Sequence, residues 1–109
     1  MWVEQQLTKL YPNLPIVYND NHLGMELDVY VPSLRLAFEL NGIYHYEPIF
    51  GSERLARVQQ RDSNKFQLCQ QNNISLCVID TSHQKYMKES TAAPFLDIII
   101  SIINQNFGE

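Results

Sequence analysis

Cysteine is scarce in this chain, since Cys69 and Cys77 are the only two among 109 residues. Two cysteines are too few for the disulfide framework of a small secreted domain, so we expect free, largely buried thiols in a reducing compartment. The sequence also lacks a secretory signal peptide and any apolar run near the roughly 20 residues that cross a bilayer. It therefore predicts a cytoplasmic protein without a membrane partner, encoded by a cell, a phage or another mobile element.

A basic surplus is missing too, because 8 lysines and arginines face 12 aspartates and glutamates and the formal net charge is −4. Nucleic-acid-binding domains usually carry excess positive charge, so the bulk charge counts against such a partner. It does not exclude one, because a bound divalent cation adds local positive charge. No repeat, low-complexity tract or composition shift divides residues 1–109, so we expect a single domain, whether or not it belongs to a longer parent protein.

Two runs of alternating apolar and polar residues predict a β-hairpin over 25–31 and 34–41, with its turn at Pro32-Ser33. The alternation places Asp28 of the first strand and Glu39 of the second strand on the same polar face. With that turn, residue 28 lies opposite residue 37. Asp28 and Glu39 are then diagonal neighbours, within about 7–8 Å of each other.

The remaining pattern predicts helices at 2–11, at 53–72 after an N-cap at Ser52, and at 94–107, and a third strand at 74–79. A helix between the hairpin and another strand implies a crossover connection and some parallel pairing. We therefore expect an α/β fold in which a mixed sheet is flanked by helices. The final helix is apolar almost all round, which indicates burial on two sides or packing against another subunit.

The two carboxylates of the hairpin make it a candidate metal site. At the predicted separation they repel each other unless a cation lies between them or one is protonated. Mg²⁺, or Mn²⁺ in its place, suits this arrangement, because it binds through one or two carboxylates and keeps waters that a substrate phosphate can displace. Asn41, on the same face, could orient such a water. The alternative is an ordinary solvated sheet face.

The long predicted helix carries a carboxylate within its apolar stripe, which comprises Leu55, Val58, Phe66 and Cys69. Asp62 in that stripe is costly unless a partner compensates it. Lys65, three residues later, shares the face. The pair either forms an ion pair at the edge of the stripe or reaches towards the sheet site.

Histidine is the side chain that titrates nearest neutral pH, and His45 follows Glu39 by six residues in a loop. It is a candidate general base or acid, or else a plain polar loop residue. His22 and His83 have no comparable neighbours in the sequence, and we interpret them as surface residues. Arg54, Arg57 and Arg61 recur at helical spacing as a phosphate-contacting row or a solvated face, and aromatics such as Phe50 are expected in the core or at its rim.

Taken together, Asp28, the run Glu39-Leu40-Asn41-Gly42, His45 and the pair Asp62 and Lys65 resemble the restriction-endonuclease-like superfamily, written PD-(D/E)XK. The pattern is most similar to the very-short-patch repair endonucleases and related homing endonucleases, which share a Glu-Asp-His-Asp constellation. The resemblance covers residues 1–80 and is most specific over 26–66.

This resemblance implies a role for each matching residue. Asp28 would be the central metal-binding aspartate and Glu39 the second acidic ligand, with the carbonyl of Leu40 also touching the metal. Asn41 stands where many members have lysine, so Lys65 or His45 would have to activate water instead. Asp62 and Glu4 would match the downstream acidic residue and the first-helix glutamate of the repair branch.

The resemblance implies a Mg²⁺-dependent DNA endonuclease that acts as a homodimer, through the apolar final helix, or with a fused or separate DNA-recognition domain. A second hypothesis is a catalytically inactive nuclease fold that binds nucleic acid or protein. The third is a small oligomerising protein whose polar sheet face is merely solvated.

Overall fold

The computed structural model describes residues 2–83 and 89–107. Four strands form one sheet in the order β1-β2-β3-β4, comprising β1 at Val17–Asp20, β2 at Leu27–Val31, β3 at Leu36–Asn41 and β4 at Ser75–Asp80. Three helices accompany it, α1 at Trp2–Leu10, α2 at Ser52–Gln71 and α3 at Glu89–Phe107. The first three strands are antiparallel, and β4 runs parallel to β3 because α2 makes the crossover. The predicted α/β class, with a mixed sheet flanked by helices, is confirmed.

Side-chain alternation along the strands gives the sheet two covered faces. On one face, strand residues such as Val29 and Phe38 form the main core with α1 and α3. On the other face, Tyr30 and Ala37 pack in a smaller cluster with Cys69 of α2. This second face is the predicted polar face of the hairpin. Its being covered by α2 shows that the alternative of a solvated sheet face is wrong.

The hairpin connection is longer than predicted, and this shifts the strand register by two residues. Pro32–Leu34 forms a 3-10 turn, and Arg35 adopts a left-handed conformation with φ of 50° before β3 begins. Val29 therefore aligns with Phe38, and the next positions along the strands, 28 and 39, lie opposite each other. The predicted opposition of residues 28 and 37 is wrong, because a Pro-Ser dipeptide does not by itself reveal a four-residue connection.

Several element boundaries also differ from the prediction. The strand Val17–Asp20 was not predicted. Gly51, not Ser52, is the N-cap of α2, with φ of 100°. The last helix begins before Pro94, which lies inside it. Its extension follows from packing, because Ala92, on the preceding turn, is buried in the main core.

The apolar last helix packs mostly against other elements of the same chain. Leu96, Ile99 and Ile103 are buried in the main core, and Phe95, Ile100 and Ile102 are partly buried against it. Within residues 2–83 and 89–107, no helix is long and apolar enough to span a membrane. Cys69 and Cys77 are free thiols, as predicted.

Candidate active site

Asp28 and Glu39 meet under α2, on the face of the sheet that the helix covers. The carboxylate Oδ2 of Asp28 accepts a hydrogen bond of 2.9 Å from the main-chain N–H of Leu40. The carboxylate Oε1 of Glu39 accepts one of 2.9 Å from the Lys65 ammonium. Glu39 is only 6% exposed. Two neighbouring strands and one helix thus hold two acidic groups and one cation together.

The pKa of Glu39 is raised from 4.5 to about 7, mainly because burial disfavours its charged form. The second cause is the neighbouring carboxylate of Asp28, whose negative charge opposes the ionisation of Glu39. Lys65 acts in the opposite direction, and its ammonium does not cancel the other two effects. The Asp28 and Glu39 pair therefore still favours additional positive charge, either a proton or a metal ion.

The main chain of β3 brings a further oxygen towards this pair. The N–H of Thr81 donates to the carbonyl of Asn41 at 2.8 Å, so the main-chain groups of Asn41 point to β4. Those groups alternate along a strand, and the N–H and C=O of one residue point to the same side. Both groups of Leu40 therefore point towards β2, where its N–H meets Asp28. The carbonyl of Leu40 therefore points towards the strand that carries Asp28.

His45 and Asp62 form a second pair on the α2 side of the site. His45 Nδ1 and Asp62 Oδ2 are 2.7 Å apart, and Gln59 Nε2 donates to the main-chain carbonyl of His45 at 3.2 Å. With Nδ1–H donating to the carboxylate, Nε2 of the imidazole carries the lone pair that can accept a proton. A cleft of about 190 Å³ adjoins them, lined by Tyr44, His45, Val58, Arg61, Asp62 and Lys65.

The helix presents Lys65 rather than Phe66 to the sheet. Phe66 was predicted within the apolar stripe, but its side chain is 51% exposed. Asp62 and Lys65 are not each other's ion-pair partners, because Asp62 binds His45 and Lys65 binds Glu39. The interpretation as an ion pair between the two is therefore wrong: Lys65 reaches Glu39 of the sheet, whereas Asp62 reaches His45 of the loop that follows β3.

Asn41 lies at the end of β3, buried and close to the hydroxyl of Tyr46. The pKa of Tyr46 is raised, mainly because of burial and then because of the negative charge of Asp80, and the interaction of the hydroxyl with the Asn41 side chain offsets part of this rise. Tyr46 is a member of the site that the sequence did not indicate, since nothing but its position beside His45 marked it. Asn41 thus interacts with a tyrosine hydroxyl next to the site.

Glu4 lies apart from this group, on the α1 side of the sheet. Its main-chain carbonyl accepts hydrogen bonds from Thr8 Oγ1 at 2.9 Å and from the Tyr18 hydroxyl at 3.4 Å. Burial is the main reason why the pKa of Tyr18 is raised, and the negative charge of Glu4 adds to the rise. Within the described residues, no hydrogen bond or ion pair joins Glu4 to Asp28 or Glu39.

His22 contacts two other side chains, which its position in the sequence did not predict. Its Nδ1 pairs with Asp20 Oδ2, and its ring stacks on Tyr30 with the centroids 5.0 Å apart. Tyr30 is two residues from Asp28 on the same face of the sheet. The prediction that His22 lies at the surface is confirmed, since its side chain is 45% exposed. The prediction that it lacks partners is wrong, and the missed signal was the acidic residue two positions earlier.

The donor set fits Mg²⁺ better than it fits a metal that needs a full protein cage. Within residues 2–83 and 89–107, no group of three or more His, Cys, Asp or Glu side chains converges as metal ligands. Mg²⁺ usually binds through one or two carboxylates and fills its remaining positions with water and substrate oxygens. The two carboxylates of Asp28 and Glu39 correspond to that number of protein ligands.

Comparison with known proteins links the chain to a viral sequence. It is 36% identical over 67 residues to "Uncharacterized protein 307L" of Invertebrate iridescent virus 6. The match covers 57% of this chain and 34% of the relative, so the chain spans about a third of the relative's length. No protein-family model matches the chain. The viral relative is compatible with the predicted origin in a phage or another mobile element.

Proposed function

We propose that this protein is a metal-dependent endonuclease with a restriction-endonuclease-like core, which hydrolyses phosphodiester bonds in DNA. The observation that carries the proposal is the placement of Asp28 and Glu39 on adjacent strands, with Glu39 buried and its pKa raised by that burial and by Asp28. A fold keeps such a costly arrangement where it serves a site, and perturbed carboxylates beside a cleft are typical of catalytic sites.

In the proposed mechanism, Asp28 and Glu39 would hold Mg²⁺, and the carbonyl of Leu40 would contribute a third oxygen. When bound, the metal would lower the pKa of a coordinated water and polarise the phosphodiester. His45 accepts a proton from the attacking water at Nε2 while the new P–O bond forms, the P–O bond to the leaving nucleotide breaks, and the leaving oxygen takes a proton from solvent. Asp62 fixes the imidazole through Nδ1 and stabilises its charged form. Lys65, hydrogen-bonded to Glu39, lies in the wall of the cleft where it can orient a phosphate oxygen.

One observation favours a second candidate, a nuclease fold that binds nucleic acid without cleaving it. The ammonium of Lys65 already lies 2.9 Å from Glu39 Oε1. A cation of the protein thus neutralises part of the negative charge that a metal would otherwise neutralise. Asn41 supplies no positive charge in the position where many superfamily members have lysine. In this case the cleft would bind a phosphate, and no bond would be broken.

Cleavage of supercoiled plasmid and of circular single-stranded DNA with Mg²⁺ or Mn²⁺ separates the two candidates. Asp28→Asn is the test variant, because an asparagine oxygen still accepts the Leu40 N–H while the charge is lost. Asp97→Asn is the matched control, since Asp97 is an exposed carboxylate on α3. We expect cleavage by the wild type and Asp97→Asn only. Cleavage that survives Asp28→Asn would reject the site, and DNA binding without cleavage by the wild type would favour the binding module.

A further inference from the structure

The loop between β3 and α2 exposes a flat aromatic surface. The rings of Tyr44 and Phe50 stack with their centroids 5.1 Å apart and their planes inclined by 19°. The guanidinium of Arg54 lies 4.9 Å from the centroid of Phe50. Tyr44 is 52% exposed and Phe50 61% exposed. These three residues are called the aromatic shelf below. Phe50 was predicted in the core or at its rim, and the structure shows it at the surface.

The aromatic shelf is continuous with the candidate active site. Tyr44 belongs both to the shelf and to the wall of the cleft, where it lies with His45 and Asp62. A ligand that enters the cleft therefore passes beside the stacked rings. Single exposed apolar side chains are common and need no explanation, but an ordered stack with a cation above it, at the mouth of a polar cleft, indicates a binding surface.

The charge around the aromatic shelf identifies the kind of ligand. Arg54, Arg57 and Arg61 are exposed along α2, and Arg61 reaches the cleft. Within the described residues, none of the three forms an ion pair. With Lys65, this helix carries half of the eight lysines and arginines of an otherwise acidic chain. Unneutralised arginines in a row beside exposed aromatics suit a polyanion that also has flat rings, which is a nucleic acid.

We propose that the aromatic shelf stacks on an unpaired nucleobase while the arginine row contacts the sugar-phosphate backbone. The preferred substrate is then single-stranded DNA or RNA, or a duplex with an unpaired nucleotide beside the scissile phosphate. The aromatic shelf cannot stack on a base of a continuous duplex, because the bases there are stacked on each other and offer no free face. The position of the scissile phosphate rests on the proposed function, whereas the stacking does not.

Binding measured in EDTA tests the stacking whether or not the protein cleaves. The probes are a fluorescent single strand that contains 2-aminopurine and a duplex of the same sequence closed by hairpins at both ends. We expect tighter binding of the single strand, quenched 2-aminopurine emission, and about 5- to 100-fold weaker binding by Phe50→Ala. Phe66→Ala is the matched control, because Phe66 is similarly exposed but lies outside the shelf, and Phe50→Trp should restore binding.

Three results would overturn the inference. They are equal or tighter binding of the closed duplex, equal losses in Phe50→Ala and Phe66→Ala, and failure of the wild type to bind either probe, which would point to a protein ligand. Because Phe50 is exposed, its replacement should leave the thermal unfolding midpoint unchanged, which separates lost binding from lost folding. Stacking without cleavage in Mg²⁺ would reject the endonuclease proposal and leave this inference standing.

Discussion

The ammonium of Lys65 lies 2.9 Å from Oε1 of Glu39, and the pKa of this glutamate is nevertheless raised to about 7. Burial and the neighbouring Asp28 together outweigh the lysine. Near neutral pH, Glu39 is consequently a carboxylate that binds either a proton or another cation. This balance connects the stability of the fold to the proposed chemistry, because a metal at Asp28 and Glu39 would relieve the same repulsion.

The raised pKa predicts that Glu39 destabilises the metal-free fold as the pH rises. Between 4.5, the ordinary value, and about 7, the folded protein keeps a proton that the unfolded chain has released. Stability from this group is therefore fully present below 4.5 and is lost as the pH rises through 7. The total change is on the order of 2–3 kcal/mol.

Urea unfolding in EDTA at about pH 5 and about pH 8 measures this effect. Glu39→Gln stays uncharged at both values, so it should lose less stability than the wild type between them. All other ionisable groups are the same in both proteins, so their contributions cancel in the comparison. Equal losses in the two proteins would contradict the assignment of the raised pKa to Glu39.

Removal of the His45 imidazole should slow cleavage without weakening substrate binding. We expect His45→Ala to lower kcat by about 10²–10⁴-fold, because the proposed general base is lost, with little change in KM. Asp62→Asn should lower kcat by a smaller factor, since it loosens the imidazole and removes the charge that stabilises its protonated form.

The matched control for this series is His83→Ala, which removes an exposed histidine that follows β4. Its rate should equal that of the wild type. A pH profile of kcat separates catalysis from positioning, because the rise attributed to the base should vanish in His45→Ala. A profile that keeps its shape in this variant would assign the proton transfer to another group.

The arginine row should make nucleic-acid binding depend strongly on salt. In a plot of the logarithm of the binding constant against the logarithm of salt concentration, each phosphate contact to a single strand makes the slope about 0.7 more negative. Replacement of Arg54, Arg57 and Arg61 by glutamine should therefore make the slope about 2 less negative. Lys9→Gln, on the exposed side of α1, should leave it unchanged, and an equal effect of both changes would show that only net charge matters.

Much of the site follows from periodicity. Strand alternation predicted Asp28 and Glu39 on one face, and helical spacing predicted that Asp62 and Lys65 share a side of the long helix. The register was wrong because it depends on the left-handed Arg35, a conformation that no sequence pattern at Pro32-Ser33 revealed. Phe66 was placed inside because hydrophobicity favours the burial of phenylalanine, and no sequence pattern showed that Phe66 is half exposed while its neighbour Lys65 pairs with the buried Glu39 of β3.

The loop between β3 and α2 was the least predictable part, because loops have no period that shows which side chains meet. The stack of Tyr44 on Phe50 depends on the path of the chain between Gly42 and Gly51. His22 was missed for a similar reason, since its contact with Tyr30 depends on how the turn after β1 folds back over the sheet.

Direct binding of Mn²⁺, followed by electron paramagnetic resonance near neutral pH, shows whether Asp28 and Glu39 form a metal site. We expect one bound Mn²⁺ per chain, displaced by Mg²⁺, with binding lost in Asp28→Asn and kept in Asp97→Asn. Unchanged Mn²⁺ binding by Asp28→Asn, or no binding by the wild type, would contradict it.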